Sequence, residues 1–183
     1  MKHTEHVHLI KKAISKSGGV WADFGSGVGA FTLALRELTG RDVTIYSVDK
    51  DEKRLQIQEQ EFNKAFPKSL INYVKADFTK PLQLPLLDGI LMANSLHYVI
   101  NQHNFLISIQ KYLKPKGKLV VVEYNIDTGS QWVPYPLSFE TFARLAMQTG
   151  FEKVDLLEKI PSTYWEEMYS AQAKGFSKHL KPS

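Results

Sequence analysis

"VWADFGSGVGAF", residues 20–31, decides the fold of this chain. Three apolar residues lead to one acid, Asp23. Three glycines follow on alternate positions, Gly25, Gly27 and Gly29, and then an apolar run with helical spacing begins at Ala30. Glycine admits positive φ and lets backbone approach a ligand with no Cβ in the way. A glycine ladder between a strand and a helix is therefore a candidate ligand cradle and not only a tight turn.

Working outward, strand-like and helix-like segments alternate from about residue 20 to residue 151. That order predicts an α/β domain with a mainly parallel sheet. Strands are expected over 19–25, 42–49, 71–77, 86–94 and 118–125, and helices over 30–39, 51–66, 101–113 and 138–149. The stretches 151–160 and 164–175 read as two final strands with no helix between them, which predicts an antiparallel hairpin at the sheet edge. Residues 176–183 read as a loose tail.

The 183 residues suffice for one domain and are short for two. The chain has no cysteine, which excludes disulfides, thiolate metal sites and a cysteine nucleophile. No apolar run reaches the length of a membrane span, and the first residues lack the apolar stretch of a signal peptide, so the expected location is the cytoplasm. The net charge of +4 is modest, and its lysine clusters at 2–16 and 111–118 read as solvated faces before nucleic-acid contacts. Of the cluster His3, His6 and His8, His3 lies off any simple metal spacing, and no array of acids accompanies the three. With His6 and His8 on one face of an extended segment, they read as solvated residues.

The ladder fits two ligands. "GSGVGA" satisfies the dinucleotide pattern through Gly25, Gly27 and Ala30, and it equally satisfies G-x-G-x-G preceded by an acid, the pattern suited to S-adenosylmethionine. Asp23 tilts the balance. A charge near the end of a buried strand is costly unless paired, and the ammonium and sulfonium of S-adenosylmethionine are suitable partners, whereas pyrophosphate is repelled. Asp49 ends the second strand, where a carboxylate accepts from ribose hydroxyls; its alternative role is a cap for the helix beginning at Asp51. Asp77 ends the third strand, placed to accept from an adenine amino group while Phe78 packs on the ring; a turn aspartate is the alternative.

With these residues in register, the chain resembles the class I S-adenosylmethionine-dependent methyltransferases over roughly residues 19–175. "ADFGSGVGAF" is similar to that family's first motif, "YSVDKD" to its second, "VKADF" to its adenine-binding motif, and "DGILMANSLHYV" and "LKPKGKLVVVEYN" to its fourth- and fifth-strand segments. The resemblance implies a Rossmann-like three-layer sandwich with strand order 3-2-1-4-5-7-6 and strand 7 antiparallel. It implies S-adenosylmethionine as cofactor, held by Asp23, Gly25, Ser26, Gly27, Gly29, Asp49, Lys50, Asp77, Phe78 and Asn94, with no metal. The segment ahead of the first strand is short beside that of many relatives, and "NSLHY" departs from the N-P-P-Y of base N-methylases.

For chemistry, His97 is the general-base candidate at the end of the fourth strand, since its ordinary pKa lies near neutrality. A structural histidine at that position is the alternative. Tyr98 either lines the pocket or packs. The loop over 125–137, with Trp132 and Tyr135, is a candidate lid. The expected acceptor is a small molecule. RNA or protein as acceptor, an NAD(P)-binding oxidoreductase, and a non-catalytic adenosyl-binding protein remain as alternatives.

Overall fold

The computed structural model of the chain describes residues 1–14 and 19–176. The elements run α1 (His3–Ile10), β1 (Val20–Phe24), α2 (Ala30–Thr39), β2 (Thr44–Asp49), α3 (Glu52–Ala65), β3 (Ile71–Lys75), β4 (Leu87–Ala93), α4 (Gln102–Ile109), β5 (Leu113–Tyr124), α5 (Phe139–Gln148), β6 (Phe151–Pro161) and β7 (Glu167–Phe176). The seven strands form one sheet in the order β3-β2-β1-β4-β5-β7-β6. Strands β1 to β5 pair in parallel, and β7 runs antiparallel to both β5 and β6.

Period-two alternation in the central strands feeds two apolar layers. Ala22, Ile90, Met92, Leu119 and Val121 pack with Phe105 and Leu106 of α4 and Phe142 of α5. Their neighbours Trp21, Leu91, Val120 and Val122 pack on the other face with Leu9 and Ile10 of α1 and Leu35 of α2. Burying each such aliphatic side chain is worth about 1.5–3 kcal/mol, so the strand pattern fixes which helices cover which face.

Two expectations are corrected and one alternative is removed. The N-terminal histidines lie on a helix, not an extended segment, and α1 docks through Leu9 and Ile10. The fourth helix stops at Ile109, a 3-10 turn spans Leu113's three predecessors, and β5 begins at Leu113. Leu113 pairs with Leu87 and Lys118 with Gly89, so β5 carries extra residues that bulge out between those two pairs. Finally, α3 is capped by Asp51, whose carboxylate accepts from the N–H groups of Lys53 and Arg54. That frees Asp49 of capping. The tail expected to be loose lies, from residue 177, outside the described residues.

The strand order reverses between β1 and β4, whose carboxyl ends both feed the turns that follow. That is where an open α/β sheet places its ligand crevice.

Candidate active site

At this edge two cavities adjoin, sharing Gly25, Arg54 and Asn94. The larger, about 800 Å3, is lined by Asp49, Lys50, Asp77, Phe78, Tyr98 and Phe105 among others. The smaller, about 280 Å3, is lined by Met1, His6, Asp23, Ser26, Gly27 and Phe31 among others.

The turn after β1 builds the partition. The N–H groups of Gly25 and Ser26 both donate to the Val48 carbonyl, which ties the turn to β2. Gly25 has φ +77°, and a Cβ there would lie 2.6 Å from Ser95 Cβ, so no other residue fits without displacing the turn after β4. Gly29, at φ +87°, lines neither cavity. It packs against Gln58, which a Cβ would meet at 2.4 Å. At this position the structure shows helix–helix packing.

Asp49 accepts from Gly27 N–H at 2.8 Å through Oδ2 and from Asp51 N–H at 2.8 Å through Oδ1. Each carboxylate oxygen keeps a second lone pair for a ligand. Asp77 accepts from the N–H and hydroxyl of Thr79. The hydroxyl bond is the largest influence holding its carboxyl below the usual range. Asp77 thus lines the larger cavity and also makes the turn bonds of its alternative role. Phe78 stacks on Phe24 at 6.1 Å and meets Phe105 edge-on at 5.8 Å, so its ring is a fixed wall.

Asp23 is almost wholly buried, and the Thr32 hydroxyl donates to its Oδ2 at 2.6 Å. Burial pushes its carboxyl up to about 7; the Thr32 bond opposes this, and the neighbouring Asp49 charge adds to it. Behind it runs a polar chain that sequence reasoning missed. Gln58 Nε2 donates to Thr32 Oγ1 at 2.7 Å, and Ser47 Oγ bonds Gln58 Oε1 at 2.6 Å and Ser26 Oγ at 2.7 Å. The available signal was Gln58 itself, a polar residue on the Leu55–Phe62 stripe of α3, where it is fully buried.

Asn94 follows β4 with φ +51°, a strained value for a residue other than glycine. Its N–H donates to the Val122 carbonyl, while its side-chain Oδ1 is buried with no hydrogen-bond partner. An unpaired buried acceptor facing a shared cavity wall is the mark of a place prepared for a donor.

His97, the expected base, lines neither cavity. It is 2% exposed, and its Nδ1 lies 2.6 Å from Glu123 Oε2. Glu123 Oε1 accepts from the N–H groups of Ser95, Leu96 and His97, closing the short turn after β4. The Glu123 contact and burial hold this imidazole within the protein. Tyr98 does line the larger cavity, and its hydroxyl donates to the Trp132 carbonyl at 3.2 Å. The 125–137 loop is tied to the same turn, since Tyr135 N–H donates to the His97 carbonyl and Gln102 Nε2 to the Tyr135 carbonyl. Among the described residues no acidic, histidine or cysteine cluster could hold a metal ion, and no helix is long and apolar enough to cross a membrane.

These features fit S-adenosylmethionine: paired acceptors for ribose, an aromatic wall for a base, and unpaired or charged acceptors for an ammonium. The comparisons agree. The methyltransferase domain model matches residues 22–121. The chain is 26% identical over 126 residues to a 2-phytyl-1,4-naphtoquinone methyltransferase of Nostoc punctiforme, and spans about half that protein's length. Among solved structures it is similar to 1,6-didemethyltoxoflavin-N1-methyltransferase of Burkholderia thailandensis, determined with S-adenosylhomocysteine. There the TM-score is 0.76 and the identity 18%, covering 96% of this chain and 79% of that one. It is also similar to an S-adenosylmethionine-dependent methyltransferase of Aquifex aeolicus, with TM-score 0.70, 18% identity, and 94% and 98% of the two chains covered. Sheet order, glycine turn and family match converge: the chain belongs to the methyltransferase-domain family, within the class I S-adenosylmethionine-dependent methyltransferases.

Proposed function

We propose that this protein transfers a methyl group from S-adenosylmethionine to a small, at least partly apolar acceptor. The observation that carries the reading is the alignment of Asp23, Asp49 and Asn94 at adjoining strand ends around one glycine turn. Bound there, S-adenosylmethionine supplies a methyl group on a sulfonium, which leaves as a neutral thioether.

In this reading the chain's own residues bind, orient and exclude water. Asp49 accepts from the ribose hydroxyls, with Lys50 alongside. Asp77 and Phe78 hold the base. Asp23, Ser26, Gly27 and Asn94 receive the amino-acid end. His97 acts as a positioning residue, since Glu123 holds both its ring and the turn that presents Asn94 and Tyr98. Tyr98 forms pocket wall beside the acceptor path. The rings of Tyr98 and Tyr124, 4.3 and 6.4 Å from that of His97, together with exposed Trp132, favour an apolar or aromatic acceptor. The curated relative's quinone name is consistent with that class.

RNA is disfavoured by the position of the lysines. Lys114 pairs with Asp88, and Lys118 donates to the Ala13 carbonyl, both toward the amino ends of the strands. Among the described residues, only Lys50 and Arg54 are basic residues of the larger cavity wall.

The test is calorimetric titration with S-adenosylmethionine, S-adenosylhomocysteine and NADH, followed by transfer of a radiolabelled methyl group to panels of quinols, phenols, small amines and RNA. Binding of the two adenosyl ligands alone, with label passing to a quinol or phenol, is the expected result. Binding of NADH, or label on RNA alone, overturns the reading.

A further inference from the structure

Two of the three N-terminal histidines have carboxylate partners. His3 Nε2 lies 2.7 Å from Glu37 Oε2, and His8 Nε2 lies 3.6 Å from Glu158 Oε1. His6 is the exception. Its ring packs on Phe31 at 4.7 Å and edge-on to His3, its Nδ1 is buried without a hydrogen-bond partner, and it lines the smaller cavity with Asp23 and Asn94.

We infer that His6 is a ligand-binding residue of this site, brought by α1 to the amino-acid end of S-adenosylmethionine. The inference rests on the proposed function. A ligand whose ribose lies at Asp49 and whose base lies at Phe78 extends past the shared residues Gly25 and Asn94 into the smaller cavity. An α-amino acid brings an ammonium and a carboxylate. The ammonium has acceptors there in the Asp23 carboxylate and the unpartnered Asn94 Oδ1. The carboxylate needs a donor, and an imidazole N–H is one.

Burial is the main influence holding His6 below its ordinary pKa; the chain's terminal ammonium and His3 add to this, and Glu5 opposes it. A neutral ring keeps one N–H to give. The helix that carries it is fastened elsewhere: Ser170 Oγ donates to the Leu9 carbonyl, Lys12 pairs with Glu158, and Lys118 Nζ donates to the Ala13 carbonyl. Removing the imidazole therefore leaves α1 docked.

The experiment titrates the full chain and its His6→Ala and His6→Asn variants with two probes. S-adenosylhomocysteine has the amino-acid end, and 5′-methylthioadenosine lacks it. In His6→Ala, affinity for S-adenosylhomocysteine is expected to fall about tenfold, the loss of one ordinary hydrogen bond. Affinity for 5′-methylthioadenosine stays level. His6→Asn, which keeps an N–H, recovers part of the loss. Equal loss for both probes, or no loss for either, overturns the assignment. Should the alanine variant melt early, the ratio of the two affinities in His6→Asn gives the same decision. A native chain that binds neither probe overturns the proposed function first, and the role of His6 with it.

Discussion

The two cavities of this cleft solve opposite problems. In the larger, the two carboxylates at the strand ends are held before any ligand arrives: Asp49 holds two backbone N–H groups and Asp77 holds Thr79. In the smaller, they are left wanting. Asp23 is buried with a single hydroxyl donor, and Asn94 Oδ1 and His6 Nδ1 have none. Under the proposed function, the first arrangement suits rigid recognition of neutral hydroxyls and an aromatic base. The second stores electrostatic cost that a zwitterionic ligand removes on binding.

The largest effect expected is at the turn both cavities share. Glu123→Ala leaves three N–H groups and the His97 ring unpaired in the interior. It should cost about 3–5 kcal/mol in urea unfolding. A loss under about 1 kcal/mol would mean the turn is not held by this carboxylate. Next comes the stored cost itself. Because the Asp23 pKa is raised in the folded chain, its contribution to stability is fully present below the unfolded pKa and is lost as pH rises toward about 7. Asp23→Asn should therefore stabilise the ligand-free chain by on the order of 2–4 kcal/mol at pH 8. That gain should shrink steadily as pH falls from 7 to 4, while affinity for S-adenosylmethionine drops. A variant less stable than the parent at pH 8 would erase the contrast between the cavities.

On the satisfied side, Asp49→Ala should weaken S-adenosylhomocysteine about a hundredfold, or about 2.7 kcal/mol, by calorimetry. It should weaken 5′-methylthioadenosine equally, because both carry the ribose. A loss confined to one ligand would misplace the ribose. The smallest effect belongs to the rim. Tyr98→Phe removes one half-exposed hydroxyl bond to the Trp132 carbonyl and should change stability by about 0.5 kcal/mol. A much larger drop in acceptor turnover than in cofactor affinity would then mark Tyr98 as part of the acceptor wall.

The strands were legible because their residues are β-branched and apolar in runs, and because each candidate acid stands at a strand end. The alternation of strand and helix gave the parallel sheet, but the exchange of β6 and β7 was available only from family resemblance. The relay from Ser26 through Ser47, Gln58 and Thr32 to Asp23 was out of reach. It joins four elements through side-chain geometry, and only Gln58 breaks a local pattern. Choosing between the two roles of His97 was out of reach for a related reason. Its position beside Asn94 in sequence suits a base, but its partner Glu123 stands 26 residues on, in the next strand. His6 was passed over because eight residues of α1 carry too weak an apolar stripe to announce a docked helix.

The bulge in β5 has a practical use. Residues 114–117 stand out from the sheet between two strand pairs, at the edge opposite the cleft, and Lys116 is exposed. The chain contains no cysteine. A single thiol introduced as Lys116→Cys would therefore be unique, giving a handle for a fluorophore or an oriented surface attachment that leaves both cavities open to solution.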